Sequence, residues 1–365
     1  MRTFPSAGRS GAEGTSLRDS LAVMGMVIIR TRPATRWNPR RADTERTLRP
    51  PSPESRDLLN IVTRTAAVLA MATLFWATAC GTEESTPTTA TDALPCPTDP
   101  IRVVVSVDPW SDITQRLAGA CAQVTTVVGS SVDPHDFEPS PVDAAAFSDA
   151  DVVVINGCGY DSWARQAVET SSASPAVVDA CESVGRTDRD NPHLWYDPDS
   201  VSAVARAVTA ALQERSPAAV SYLSDRAAEW DASMRPYRDE LAAISAKYAG
   251  RTYAATESVF DDLGAALGLR NVTPPGFARA AANESEPSPA DISAFNQLLG
   301  GGGADVLVFN AQTEGAVPAQ IRDVAERGGV PVVEVTETPG AGAASFADWQ
   351  VTQLRALAAA LEQRP

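Results

Sequence analysis

Residues 216–250 read SPAAVSYLSDRAAEWDASMRPYRDELAAISAKYAG, the most regular segment of the chain. Its apolar residues recur at alternating steps of three and four, which places them on one face of an α-helix. Ser216 followed by Pro217 is typical of a helix start. We predict one long helix over 217–249, about 48 Å in length from Pro217 to Tyr248, with a kink and not an end at Pro236. The apolar positions that carry the pattern are Val220, Leu223, Ala227, Trp230, Met234, Tyr237, Leu241, Ile244 and Tyr248.

Short runs rich in β-branched residues lie on both sides of this helix. The predicted strands are 101–107, 124–128, 151–155, 176–178, 251–255, 306–309 and 331–335, and the later half also shows helical patterns at 259–267, 289–299, 317–327 and 345–361. The strand patterns are continuously apolar and do not alternate, as in parallel strands buried on both faces. The sequence therefore predicts an α/β protein with an N-terminal lobe over 101–216, a linking helix over 217–249 and a C-terminal lobe over 250–365.

The first 57 residues differ in composition from the rest. Up to Arg56 they contain eleven Arg and no Lys against five acidic residues, with much Pro and Ser and no apolar periodicity. We expect residues 1–57 to be disordered. Two explanations stay open: a start assigned too far upstream, which we prefer, or an unusually long Arg-rich leader region.

A secretory leader is predicted over residues 58–80. An apolar run of about a dozen residues follows Arg64, too short to cross a bilayer, and small residues then precede Cys80 as in a bacterial lipoprotein signal. Lipidation of Cys80 would anchor the protein to the outer face of the cytoplasmic membrane. Residues 81–100, rich in Thr, Ser, Pro and Glu, are then expected to form a flexible linker.

Charge and cysteine content narrow the function further. The chain after Cys80 carries eighteen basic residues against forty acidic ones, which argues against nucleic acid as a partner. Its four cysteines favour disulfides in an oxidising compartment. Four cysteines allow three pairings, of which we predict Cys96 with Cys121 and Cys158 with Cys181.

The chain has only two histidines, His135 and His193, each beside proline and acidic residues. Imidazole is a common transition-metal ligand, so this context predicts one metal site. Ligands of open parallel sheets lie beyond the carboxyl ends of the strands. Glu257 and Glu337 each follow a predicted strand of the second half, and His135 follows one in the first. We therefore expect His135, His193, Glu257 and Glu337 to hold a metal in the cleft between the halves.

Several motifs resemble the lipoproteins that capture metal for zinc and manganese ABC importers. They are Asp133-Pro134-His135-Asp136-Phe137-Glu138-Pro139, the strand and turn 150–157, the segment 157–163, Asn191-Pro192-His193-Leu194-Trp195 and the central helix. The resemblance implies two four-stranded α/β lobes bridged by a rigid helix, one metal in the cleft, and delivery to a permease and its ATPase without catalysis. By position it implies His135 and His193 as ligands, Glu257 where zinc importers often have His, and Glu337 after a one-residue shift.

The identity of the metal stays open between zinc and manganese, with iron possible. Two imidazoles and two carboxylates favour manganese or iron, whereas intrinsic affinity favours zinc. The alternatives are a secreted zinc-dependent hydrolase and a surface adhesin lipoprotein with a structural metal. No His-Glu-x-x-His motif supports the hydrolase. We expect a monomer.

Overall fold

The computed structural model describes residues 95–130, 137–171, 174–283, 285–313, 315–340 and 342–364. The Arg-rich region 1–57, the predicted leader 58–80 with Cys80, most of the predicted linker and His135 lie outside the described residues. In the part described, no helix is long and apolar enough to span a membrane.

The first sheet has four parallel strands in the order β2-β1-β3-β4. The strands are β1 (Ile101–Val107), β2 (Ala122–Val128), β3 (Val152–Ile155) and β4 (Ala176–Asp179). All four residues of β3 are buried, as expected for a strand covered on both faces. The order reverses direction between β1 and β3, and a crevice opens at the carboxyl ends of such neighbouring strands.

The second sheet repeats this order as β6-β5-β7-β8, again with parallel pairing throughout. Its strands are β5 (Thr252–Ala255), β6 (Arg270–Asn271), β7 (Val306–Asn310) and β8 (Val332–Val335). The α/β class with two four-stranded parallel sheets flanked by helices is therefore confirmed. The seven strands predicted from apolar patterns are present, but β6, with two exposed polar residues, has no such pattern.

Helices cover both sheets. In chain order the described residues form α1 (Ser111–Ala118), α2 (Pro141–Asp149), α3 (Ser162–Thr170), α4 (Ala180–Ser183), α5 (Pro198–Arg215), α6 (Val220–Ser233), α7 (Arg235–Tyr248), α8 (Asp261–Ala266), α9 (Pro275–Ala282), α10 (Pro289–Gly300), α11 (Ala316–Arg327) and α12 (Phe346–Glu362). Short 3₁₀ turns join several of them, including Leu194–Tyr196 before α5.

The segment between the sheets is a pair of helices and not the single kinked helix expected. Residues Pro217–Ala219 form a 3₁₀ turn before α6, and Ser216 makes no capping bond with its side chain. Helices α6 and α7 meet at Met234, two residues before Pro236. The ring of Pro236 lacks an N–H and crowds the preceding turn, which ends the regular bonding of α6. The apolar face nevertheless continues, since Trp230, Met234 and Tyr237 are all buried.

One cluster of buried side chains extends through both lobes. The ring of Tyr196 from the first lobe packs edge to face against Phe260 and Trp349 of the second, with ring centres 6.5 and 6.0 Å apart. Such aromatic pairs stabilise beyond their buried area. The lobes therefore share a packed interface below the cleft.

Two disulfides lie in the first lobe, between Cys96 and Cys121 and between Cys158 and Cys181. These are the pairs expected from the sequence. They lie at opposite ends of the strands. Cys121 directly precedes β2, at the amino ends, whereas Cys158 and Cys181 follow β3 and β4, at the carboxyl edge. Only the second disulfide is at the carboxyl edge, where ligands bind in parallel sheets.

Candidate metal centre

The candidate site forms where the carboxyl edges of the two sheets face each other. Glu257 lies two residues beyond β5, Asn310 ends β7, and Glu337 lies two residues beyond β8. From the first lobe, His193 precedes the 3₁₀ turn that leads into α5. The strand-end rule thus accounts for three side chains of the second lobe, because adjacent parallel strands end at one edge.

His193 is buried, and one of its ring nitrogens is hydrogen-bonded to a neighbouring side chain. Its Nδ1 lies 2.7 Å from Oδ1 of Asn191, which also accepts the backbone N–H of His193. The amide nitrogen of Asn191 donates to the carbonyl of Ser258, so its oxygen must face the ring. Nδ1 therefore carries the proton, and Nε2 keeps a free lone pair. This is the arrangement in which a histidine binds a metal through Nε2.

The Nε2 atom of His193 faces Glu337. It is buried without a hydrogen-bond partner among the described residues, and it lies 3.6 Å from Oε2 of Glu337. That distance is too long for a hydrogen bond. Two metal bonds of about 2.1 Å at a tetrahedral angle would separate nitrogen and oxygen by about 3.4 Å. The gap between the two atoms therefore has the size that a shared metal ion requires.

Glu337 is only 3% exposed and is fixed by its neighbours. Its Oε2 accepts a 2.8 Å hydrogen bond from the hydroxyl of Tyr160, and its backbone N–H donates to Oε1 of Gln312. The Gln312 oxygen also accepts the N–H of Thr338. A buried carboxylate needs such compensation, and here the loop after β8 is built to present it.

Asn310 joins the two glutamates. Its side-chain nitrogen donates to Oε1 of Glu337 at 2.8 Å and to Oε2 of Glu257. The other oxygen of Glu257 accepts from the hydroxyl of Thr313. The Asn310 side-chain oxygen accepts the N–H of Gln312, which fixes the orientation of the amide. One amide with two N–H protons therefore binds two carboxylates.

The structure thus brings His193 and Glu337 together directly, and it brings Glu257 to the same site through Asn310. In the described part of the chain, no three His, Cys, Asp or Glu side chains are grouped closely enough to hold a metal ion. His135 lies outside the described residues, so its place in the predicted set stays a prediction.

Aromatic rings enclose the imidazole of His193. The ring centres of Trp195 and Tyr160 lie 5.5 and 5.9 Å from it, both edge to face. These rings exclude water and lower the local polarity, which strengthens electrostatic attraction at the site. The hydroxyl of buried Tyr196 binds the carbonyl of Thr336, next to Glu337. Burial, the largest cause, raises the pKa of Tyr196, so this hydroxyl stays a donor.

A tight turn after β3 positions Tyr160. Gly157 has a φ of +72°, and a Cβ there would lie 2.8 Å from the Cβ of Cys181 and would also collide with Asp179, so only glycine fits. The buried carboxylate of Asp161 accepts the N–H groups of Asn156 and Gly157. Burial is the largest cause that raises the pKa of Asp161, opposed by these bonds.

An arginine joins the lobes beside the His193 loop. Arg186 binds Asp262 of the second lobe at 2.6 Å and Asp197 of the first at 3.2 Å. It also donates to the backbone carbonyl of Asn191. The arginine therefore links the histidine loop to the first turn of α8, which lies just beyond Glu257.

Sequence patterns did not identify Asn310 or Thr313 as part of the site. Asn310 stands at the end of a buried strand, so the strand-end rule that found the glutamates also selects it. Asn191 and Tyr160 lie in motifs quoted in the sequence analysis, which assigned them no role. Their roles cannot be predicted from residue type alone, because each depends on a partner distant in sequence.

Comparison with known proteins identifies the family of the chain. The family model described as zinc-uptake complex component A, periplasmic, matches residues 103–360. The manganese-binding lipoprotein MntA of Halalkalibacterium halodurans is 29% identical over 187 residues, 47% of this chain and 59% of the relative. The high-affinity zinc uptake system protein ZnuA of Bacillus subtilis is 25% identical over 215 residues, 53% and 66% respectively. The matched regions thus span about three fifths to two thirds of these relatives.

The fold is also that of solved binding proteins. The substrate-binding protein FpvC of Pseudomonas aeruginosa, solved with Mn²⁺, superposes with a TM-score of 0.61 at 19% identity, over 73% of this chain and 100% of the other. At that identity the likeness establishes the fold alone. Because the family model covers well over half of the sequence, the chain belongs to the family of periplasmic zinc-uptake component A.

Proposed function

We propose that this protein captures one divalent transition-metal ion, zinc or manganese, in the cleft between its lobes and delivers it to the permease of an ABC importer. The observation that carries the proposal is the buried Nε2 of His193, which has no hydrogen-bond partner among the described residues and lies 3.6 Å from Oε2 of Glu337. A buried imidazole nitrogen without a partner is costly unless a ligand completes it. Family membership supports the same reading.

The proposed ligand set is His135, His193, Glu257 and Glu337. Glu337 and His193 face each other directly, and Glu257 is held beside them through Asn310. Two neutral imidazoles and two carboxylates would give a neutral site around a divalent ion, which suits burial. Iron stays a possible cargo of the same ligand set.

The ion is proposed as cargo and not as a catalytic centre. A hydrolytic metal keeps an open position for water with a general base beside it. The proposed set supplies four protein ligands and assigns both glutamates to the ion, so it leaves neither a position for water nor a free carboxylate as general base. The family is one of uptake components, in agreement with transport without chemistry.

We also propose a location and partners. Residues 58–80 would act as a lipoprotein signal, Cys80 would carry the lipid anchor, and residues 81–100 would tether the lobes of a monomer to the outer face of the cytoplasmic membrane. The importer's permease and ATPase would be the partners. The support is the lipoprotein-like sequence before Cys80 together with family membership.

Elemental analysis tests the proposal. The mature protein with Cys80 replaced is purified without chelator, analysed for metal, and titrated with zinc and manganese beside His193→Ala. One equivalent of metal in the wild type, lost in the variant, supports the proposal. No metal bound by either protein at micromolar concentrations overturns it.

A further inference from the structure

A fully buried glutamine lies on α12, close to the place where the two lobes and the helix pair between them meet. Gln350 is 0% exposed, and neither its side-chain oxygen nor its side-chain nitrogen has a hydrogen-bond partner in the described part of the chain. A buried amide without a partner is unfavourable, and nearly all such groups in folded proteins have one. Gln350 therefore needs a partner that the neighbouring side chains do not supply.

Two more buried polar groups without a partner lie beside Gln350. Helical spacing places Phe346, Gln350 and Gln353 on one face of α12. The ring of Phe346 packs edge to face against Tyr237 of α7, with ring centres 6.3 Å apart. The hydroxyl of Tyr237 and the side-chain nitrogen of Gln353 are buried without a hydrogen-bond partner among the described residues. Three side chains thus bring four such polar atoms to one buried region.

The hydroxyl of Tyr196, from the first lobe, borders the same region. It lies 2.8 Å from Oε1 of Gln353, and that oxygen also accepts the N–H of Thr336. Burial is the largest cause that raises the pKa of Tyr196, and Tyr237 raises it further, which shows that the two hydroxyl groups lie near each other. The amide of Gln353 is thus held by its oxygen alone, next to the residue that precedes Glu337.

We propose that Gln350, Gln353 and Tyr237 bind ordered water at this junction. A buried water makes about three hydrogen bonds to polar groups that otherwise have none. The two amide nitrogens would donate to it, the Gln350 oxygen would accept from it, and the Tyr237 hydroxyl can do either. The water would fix the amide of Gln353 and, through it, the N–H of Thr336. Gln350 and Tyr237 thereby position the segment that presents Glu337.

A double-mutant cycle tests the water site without any use of metal binding. Gln350→Met and Tyr237→Phe each remove one partner of the water at nearly constant volume, and the double variant removes both. Gln320→Met, at an exposed position of α11, is the matched control. Thermal unfolding of the metal-free protein gives the melting temperatures, and hydrogen exchange of the Thr336 N–H reports on its bond to Gln353.

Each single variant is expected to lower the melting temperature by about 2–4 °C, because the polar groups that remain lose the water that completes them. The double variant is expected to lose about as much as one single variant and not the sum, because both changes remove the same water. The Thr336 N–H should exchange about fivefold faster or more in Gln350→Met, as for loss of one hydrogen bond. This increase should exceed that of the buried β3 amides, which follow global stability. Gln320→Met should match the wild type.

A Gln350→Met variant that is more stable than the wild type would mean that the amide is buried dry, and it would overturn the proposal. Additive losses in the double variant would also overturn it, since the two groups would then share no water. A high-resolution crystal structure of the wild type adds a direct test. Density for a water within hydrogen-bond distance of Gln350 and one neighbour supports the proposal, and its absence overturns it. A wild type that binds no metal but shows the coupled losses overturns the proposed function alone.

Discussion

Oδ1 of Asn191 accepts a hydrogen bond from Nδ1 of His193 while the amide nitrogen of the same asparagine binds the carbonyl of Ser258 in the opposite lobe. The residue that orients the imidazole therefore also ties it to the segment that carries Glu257. One side chain thus both orients the histidine and forms one of the bonds between the lobes.

Replacement of Asn191 tests this link. Asn191→Ala is expected to lower metal affinity about 10- to 100-fold, because the ring loses the partner that fixes its tautomer. Asn191→Asp keeps an acceptor for Nδ1–H and should bind metal within about tenfold of wild type. Competition titrations at constant pH provide the measurement. Equal affinity in Asn191→Ala and wild type would show that the ring needs no such support.

Glu257→Ala is expected to weaken metal binding strongly while helical content stays unchanged. Among the described residues the Glu257 carboxylate bonds only to the side chains of Asn310 and Thr313, so its removal leaves β5 and α8 intact. Far-UV circular dichroism and metal titration measure the two effects. Glu334→Ala is the matched control, since that glutamate points from β8 to solvent and pairs with Arg322. Unchanged metal affinity in Glu257→Ala would contradict the site assignment.

The two disulfides close loops of similar length but differ in their distance from the site, so their removal can be compared. They close loops of 25 and 23 residues, so removal of either is expected to destabilise the protein by about 3 kcal/mol in the chain-entropy model. Only the Cys158–Cys181 bond lies at the carboxyl edge, next to the turn that carries Tyr160. Replacing Cys158 and Cys181 by Ser should therefore also weaken metal binding.

Urea unfolding and metal titration of both double variants measure these effects. The variant with Cys96 and Cys121 replaced should lose stability but keep its metal affinity. Equal losses of affinity in the two variants would mean that the site responds only to global stability.

Arg186→Ala is expected to destabilise the protein by about 1–3 kcal/mol, between the values for surface and buried ion pairs, because its side chain is 22% exposed. It should also speed release of bound metal to a chelator, since the bridge between Asp197 and Asp262 is lost. Stopped-flow release and urea unfolding are the measurements. Arg322→Ala removes pairs within one lobe and should leave the release rate unchanged.

Much of the fold is readable from sequence because buried parallel strands are short, continuously apolar runs. The strand Ile101–Val107 was predicted to the residue, whereas Arg270–Asn271 was invisible, since an exposed two-residue edge strand has no apolar pattern. The sequence predicted a kink at Pro236 and not the break at Met234, because apolar periodicity records which face is buried and not whether the backbone bonds continue.

The site was less predictable than the fold. Glu257 and Glu337 follow strands, so topology alone selects them. The role of Asn310 depends on its hydrogen bonds to both glutamates, and the role of Asn191 depends on its bond to the carbonyl of Ser258. These bonds join residues distant in sequence, so no local pattern predicts them. Whether His135 joins them stays a prediction.

The bond between Tyr160 and Glu337 joins positions 177 residues apart, whereas each disulfide closes a loop of about 25 within one lobe. An ion held from both sides of the cleft would thus act as a reversible cross-link over most of the folded chain, and long loops lose the most entropy on closure. We expect the loaded protein to resist proteases that digest the empty one. Supply of the metal would then govern how long each molecule survives.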